Sequence, residues 1–317
     1  MQANIRGFAG ATVVLLLLLA ACGDQGTGRN GPDDGRLQVV ASFYPLAEAA
    51  ARVGGDRVEV TDLTPAGVEP HDLELAPDDV DHLEDADVVL YLGGGFQPAV
   101  AEMAGRQDDA IDLLADLDLE AGASGALRDE QQDASGNRSR DDAVDPHFWL
   151  DPTRLAQAVD AIDAALSEAA PADAATFSAN ARAYRAELAG LDHEMTAGLV
   201  DCERDEIVTS HAAFFYMARR YGLHQLPIAG LSPESEPDPD RLADLTDRIE
   251  ADGITTVFYE TLVAPDVAET LAREADVGTA VLNSLEGLTD DEVDAGADYV
   301  SVMRDNLAAL RDALGCA

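Results

Sequence analysis

From Leu37 onward the chain alternates short apolar runs with longer stretches whose apolar residues recur at three and four. Leu37 to Tyr44 predicts a strand, and Pro45 opens a helix to about Val53, because proline lacks only an N–H that a first helical turn leaves free. A strand over Val58 to Leu63, a helix from near Pro77 to Leu83 and a strand over Asp87 to Leu92 follow, closed by Gly93-Gly94-Gly95. This β-α-β-α-β order predicts a parallel sheet with helices on its faces. After Pro152 a helix runs to about Ala169, and Pro171 starts another pattern. Its apolar positions Phe177, Ala181, Tyr184, Leu188, Leu191, Met195 and Leu199 predict a helix of about 28 residues, ~42 Å long. A helix of that length is a stiff spine, not a hinge.

The second half repeats the alternation. Strands are expected over Glu206 to His211, Gln225 to Ala229, Ile254 to Tyr259 and Thr279 to Leu285. Helices are expected over Ala213 to Tyr221, Asp240 to Ala251, Pro265 to Ala275 and Asp291 to Leu314. The fold class is therefore α/β: two Rossmann-like lobes, residues 37–170 and 201–317, joined by one long rigid helix over 171–200, with a site in the cleft between them.

Three segments carry no such pattern. Arg6, the apolar run Val13 to Ala21 and Leu19-Ala20-Ala21-Cys22 read as a lipoprotein signal peptide over residues 1–21, with Cys22 becoming the lipidated first residue of a chain anchored outside the cell membrane. The run is short for a membrane span. Residues 22–36 are Gly-, Asp- and Asn-rich and suit a flexible tether, and residues 118–145 are expected to form a mobile acidic surface loop. The remaining cysteines, Cys202 and Cys316, make an even pair in an exported chain and are expected to form a disulfide.

Charge narrows the function. Asp and Glu number 62 against 20 basic residues, a net charge of −42, and all the basic residues are arginine. Such a surface repels phosphates and excludes nucleic acid as a partner. It suits a salty milieu. The glycine triplet is no phosphate loop, since no lysine follows and the spacing fits neither nucleotide fingerprint.

The candidate chemistry lies in histidines at loop positions. Pro65, Gly67 and Pro70 stiffen a loop that carries His71 past the end of a strand. His147 lies in Asp145-Pro146-His147-Phe148-Trp149-Leu150-Asp151-Pro152, and His211 ends Glu206-Ile207-Val208-Thr209-Ser210-His211. Glu286 is the fourth candidate, in Leu282-Asn283-Ser284-Leu285-Glu286-Gly287, and Glu260, at the end of a neighbouring strand, is the reserve. Four separate strand ends would supply these groups. Three imidazoles and a carboxylate form a four-coordinate set of the kind Zn²⁺ favours. His82 and His224 lie in no motif, and His193 is expected on an exposed helix face. A zinc hydrolase could use three histidines with a metal-bound water and Glu260 as base, but no His-Glu-x-x-His or nucleophile motif is present.

Glu69-Pro70-His71-Asp72, the segment Asp145 to Pro152, Thr209-Ser210-His211-Ala212-Ala213-Phe214 and the segment Leu282 to Leu288 together resemble the metal-ligand motifs of the substrate-binding lipoproteins of zinc and manganese ABC importers. The resemblance covers nearly the whole chain from Leu37. It implies two α/β lobes bridged by a long helix, metal bound by His71, His147 and His211, and a fourth ligand from Asn283 to Glu286. Many members carry Asp where this chain has Asn283, while some Gram-positive zinc binders use a Glu in a motif similar to Leu-Asn-x-Leu-Glu; asparagine is a poor ligand, so Glu286 is the choice. Manganese-type members tend to have a carboxylate in place of His211, which favours Zn²⁺ here over Mn²⁺. The His-rich loop of many zinc members has no counterpart in residues 118–145. The resemblance further implies a monomer that delivers Zn²⁺ to a membrane permease and is not an enzyme, with a manganese binder or an adhesin-like surface lipoprotein as the alternatives.

Overall fold

A strand in a sheet covered on both sides buries successive residues on opposite faces, which is why the central strand segments Val39–Ala41, Val88–Leu90, Ile207–Val208 and Val257–Phe258 are apolar at consecutive positions. In the computed structural model, which describes residue 2 and residues 35–117, 144–235, 237 and 239–317, the chain opens with β1 (Leu37–Ala41), α1 (Tyr44–Gly54), β2 (Val58–Asp62), α2 (Pro77–Asp85) and β3 (Val88–Tyr91). Then follow α3 (Pro98–Ala104), β4 (Ala110–Asp112) and α4 (Leu113–Asp116). All pairings are parallel, in the order β2-β1-β3-β4. Val39 and Val88 face one buried cluster while their neighbours Val40 and Val89 face another. The signal peptide, Cys22, nearly all of the tether and most of the expected acidic loop lie outside the described residues.

The chain resumes with a 3₁₀ turn (Phe148–Leu150), α5 (Pro152–Ala169) and α6 (Ala174–Gly198). The second lobe contains β5 (Glu206–Thr209), α7 (Phe215–Tyr221), β6 (His224–Pro227), α8 (Pro239–Asp252), β7 (Thr256–Tyr259), α9 (Asp266–Glu274), β8 (Gly278–Val281), α10 (Asp290–Asp294) and α11 (Tyr299–Leu314). Its sheet is again parallel, in the order β6-β5-β7-β8. The two lobes thus share one strand order. In each, the order reverses beside the first strand, and ligands of open α/β sheets bind outside the carboxyl ends at that point.

The spine is α6, 25 residues and ~37 Å long. It buries Phe177, Ala181, Tyr184, Leu188, Leu191 and Met195 and packs against α1, α5 and α11. Leu46 of α1, Trp149, Leu188 of α6 and Met303 of α11 belong to one cluster, so a continuous core runs through both lobes. A second tie joins α1 to the start of α11, where the Tyr299 N–H donates to Glu48 at 2.9 Å. The described residues between 35 and 317 form one compact unit. Cys202 and Cys316 are joined as a disulfide, which links the segment after α6 to the residues after α11.

Residues 98–116, for which no element was expected, form α3, β4 and α4, with Val100, Ala104 and Leu113 buried. Three expectations are corrected. The last helix is two, because Gly296 at φ +73° ends α10 and Asp298 starts α11 by accepting the Ser301 N–H at 2.8 Å. The last strand stops at Val281 instead of Leu285, since residues 282–288 leave the sheet as a buried loop. His147 is not at a strand end: among the described residues it precedes the 3₁₀ turn that enters α5.

Candidate metal centre

The His71 loop is fixed at its base and along its length. The Thr64 hydroxyl donates to Ser42 O at 2.8 Å and accepts from the Gln97 amide at 3.1 Å. Gly67, at φ +76°, reaches the other lobe by donating its N–H to Leu288 O at 2.8 Å. The His71 N–H donates to Glu69 Oε2 at 3.0 Å, and the imidazole rests edge-on against Phe96 at 4.5 Å. His147 is held by the same device, its N–H donating to Asp145 Oδ1 at 2.9 Å. The shorter aspartate also reaches its ring, with Nδ1 at 2.8 Å from the same oxygen. That bond places the proton on Nδ1 and leaves Nε2 to face the site.

His211 leaves β5 where the strand order reverses, and Glu260 leaves β7 on the other side of that reversal. Their side chains meet, with Nδ1 2.8 Å from the Glu260 carboxylate, so Nε2 again points inward. Glu286 rides on the loop after β8. Asn306 grips that loop by accepting the Asn283 N–H and donating to Asn283 O, both at 2.8 Å. The Asn283 side chain accepts the Leu285 N–H at 2.7 Å and donates to Glu292 at 2.9 Å. Leu285 sits at φ +54°, a conformation costly for a non-glycine residue and kept here by these bonds. The Trp149 indole N–H donates to Ser284 O at 2.8 Å, which fastens the Glu286 loop to the segment carrying His147.

The four donors converge. Glu286 Oε1 lies 3.3 Å from His71 Nε2 and 3.1 Å from both His147 Nε2 and His211 Nε2. His147 Nε2 and His211 Nε2 are 3.4 Å apart, and all four donor atoms lie within 4.8 Å of one another. Donors about 2.0–2.1 Å from a tetrahedral Zn²⁺ stand roughly 3.3–3.4 Å apart, close to the four separations of 3.1–3.4 Å found here. Glu286 Oε2 accepts the Ser284 hydroxyl at 3.2 Å, which leaves Oε1 as the single oxygen turned to the site.

Electrostatics follow from burial and charge. Burial holds the His71 pKa below its ordinary value. For His147 burial works the same way but Asp145 and Glu286 outweigh it and raise the pKa. For His211 burial is outweighed further, by Glu260 and Glu286, and the pKa lies well above the ordinary value. Burial would raise Glu286, yet the three histidines, His211 foremost, hold it well below the carboxylate range. These directions favour an ionised Glu286 beside a protonated His211 in the metal-free protein, so a proton and a cation compete for the same nitrogen.

The four expected donors come together, and the reserve residues stand behind them: Glu260 against His211, Asn283 within its loop. His82, His193 and His224 are exposed and apart from the site. Sequence reasoning missed Asp145, Glu69, Ser284 and Asn306. For two of these the signal was present as a repeated acid-Pro-His pattern, Glu69-Pro70-His71 and Asp145-Pro146-His147, in which each carboxylate accepts the histidine N–H.

The family profile described as zinc-uptake complex component A, periplasmic, matches residues 39–313. The chain belongs to this family. It is 38% identical over 288 residues to the zinc-binding protein AdcA of Streptococcus pyogenes, a match covering 88% of this chain and 56% of that protein. It is 35% identical over 301 residues to the high-affinity zinc uptake system protein ZnuA of Bacillus subtilis, covering 94% of each. The chain spans about half the length of the streptococcal relatives it matches. The Zn(II)-bound ZnuA-like domain of Streptococcus pneumoniae AdcA superposes with a TM-score of 0.73 at 36% identity, over 88% of this chain and 99% of that domain.

Proposed function

We propose that the protein is an extracytoplasmic lipoprotein, anchored to the cell membrane through Cys22, that captures Zn²⁺ with His71, His147, His211 and Glu286 and delivers it to the permease of an ABC importer. The observation that carries the reading is the set of four buried donors whose ligand atoms all lie within 4.8 Å of one another, backed by Asp145 on His147 and Glu260 on His211. Three imidazole nitrogens and one monodentate carboxylate favour Zn²⁺ over Mn²⁺, which prefers more oxygen donors. Relatives named for zinc binding and zinc uptake support the same cargo.

Holding, not hydrolysis, is what the geometry suits. A catalytic zinc keeps one coordination position for water. Here Glu286 Oε1 occupies the fourth corner, and Glu260 is engaged with His211 Nδ1 instead of facing a water position. The protein works as a monomer, and the stiff α6 spine with its continuous core leaves local loop movement as the route of release.

Competition calorimetry on the metal-stripped protein with Zn²⁺ and Mn²⁺ tests this. The expected result is one Zn²⁺ per chain, at least 100-fold tighter than Mn²⁺, with Glu286→Ala weakening Zn²⁺ by far more than tenfold. Tighter binding of Mn²⁺, or no binding of either ion, would overturn it.

A further inference from the structure

Three of the four donors are sealed from solvent: the side chains of His147, His211 and Glu286 are each 0% exposed. His71 retains 8% and Glu69 14%, so an ion arriving from solvent meets the loop that carries these two first. Pro65 to Val68 are exposed, as are Asp72 and Glu74 further along the same loop.

Glu69 differs from its counterpart Asp145 in one respect. Both accept the N–H of the histidine two residues on. Asp145 uses that same oxygen to reach Nδ1 of its histidine, on the side away from the site. Glu69, one methylene longer, sends its other oxygen to the opposite side of the ring: Oε1 lies 4.0 Å from His71 Nε2, the nitrogen that faces the donors. This oxygen is buried and has no hydrogen-bond partner. A carboxylate oxygen removed from water without a donor is costly, so a proton or a cation is expected to meet it. A separation of 4.0 Å is wider than the roughly 3.3–3.4 Å of two donors on a tetrahedral ion, so a shift of the Glu69 side chain by under about 1 Å brings both atoms onto one ion.

We propose that Glu69 is the entry and exit ligand of the metal centre: Glu69 Oε1 and His71 Nε2 hold the incoming Zn²⁺ first, and the ion then exchanges Glu69 for the buried set. The inference rests on the zinc-capture reading above. In the exchange the bond to His71 Nε2 is kept, the bond to Glu69 Oε1 breaks, and bonds to Glu286 Oε1, His147 Nε2 and His211 Nε2 form; release runs the same steps backwards. His71 is the pivot because it is the donor shared by both sets, 3.3 Å from Glu286 and 4.0 Å from Glu69. Because Glu69 is absent from the final set, it speeds both directions and leaves the equilibrium unchanged.

The test is stopped-flow of the metal-stripped protein with buffered Zn²⁺, and of the zinc-loaded protein with excess chelator. The sole tryptophan, Trp149, lies 5.2 Å from the His147 ring and reports occupancy by its fluorescence. Glu69→Gln, which keeps an oxygen for the His71 N–H, is expected to slow association and chelator-driven release each by at least tenfold while the dissociation constant moves less than threefold. Glu69→Asp should fall between it and wild type, and Glu74→Gln, which removes an exposed charge from the same loop, should change either rate less than twofold. Wild-type rates in Glu69→Gln would overturn the proposal. So would a tenfold loss of affinity through release alone, which would make Glu69 a resident ligand or a structural support. Failure of the wild-type protein to bind Zn²⁺ would instead remove the zinc reading itself.

Discussion

Replacing Glu260 by glutamine separates a supporting carboxylate from a ligand. Glu260 is 2% exposed and lies 2.8 Å from His211 Nδ1. A carboxylate there makes Nε2 a better donor, and losing such a partner commonly costs 10–100-fold in metal affinity, or about 1.4–2.7 kcal/mol. A second effect has the opposite sign. In the metal-free protein Glu260 and Glu286 together hold the His211 pKa well above its ordinary value, and that proton competes with the metal. Glu260→Gln removes one of the two charges, lowers the His211 pKa and weakens the competition. The net loss should therefore be largest near pH 8, where His211 has fewer protons to shed, and smaller near pH 6. Competition against a chromophoric chelator at pH 6, 7 and 8 measures it. An equal loss at every pH, or a loss as great as that of Glu286→Gln, would refute the reasoning, the second by making Glu260 a direct ligand.

Other consequences are open to direct measurement. Because Glu260 and Glu286 raise the His211 pKa well above its ordinary value against the burial that lowers it, zinc binding near neutral pH should release protons, read by calorimetry in buffers of different ionisation enthalpy, and affinity should fall as pH falls. Burial raises the Asp62 carboxyl to about 7 against the Thr64 N–H that lowers it, so this group favours folding least above pH 7, where it must ionise in a poor environment. Asp62→Asn, which still accepts the Thr64 N–H, should stabilise the metal-free protein by about 1–2 kcal/mol at pH 8 and progressively less toward pH 4, seen in urea unfolding at the two pH values. Reducing Cys202–Cys316, which are 114 residues apart, should lower unfolding free energy by up to about 4–5 kcal/mol, with zinc affinity at 25 °C changed less than threefold.

Much of the fold was legible because its signals are local. Pro45, Pro77 and Pro152 mark helix starts, and the spacing from Phe177 to Met195 traces the buried face of α6 residue by residue. The four candidate donors were legible because three imidazoles and a carboxylate sit in loops beside apolar runs. What stayed hidden depends on partners distant in sequence. Nothing near Asn283 announces that Asn306 will hold its backbone, or that Trp149 will bond Ser284 O, 135 residues away. β4 could not be foreseen from Ala110-Ile111-Asp112, since only pairing with β3 makes three residues a strand. The break between α10 and α11 was a local signal left unread: Thr289-Asp290-Asp291-Glu292 is a capping box, and Gly296 precedes a second N-cap at Asp298.

The most direct test of the central claim is a crystal structure of the zinc-loaded protein with an anomalous difference map recorded at the zinc edge. The account predicts one strong peak, within about 2.0–2.2 Å of His71 Nε2, His147 Nε2, His211 Nε2 and Glu286 Oε1, with Glu260 still on His211 Nδ1. A peak coordinated by Glu260 or Asn283, a water in place of Glu286, or a principal peak elsewhere on the molecule would contradict it.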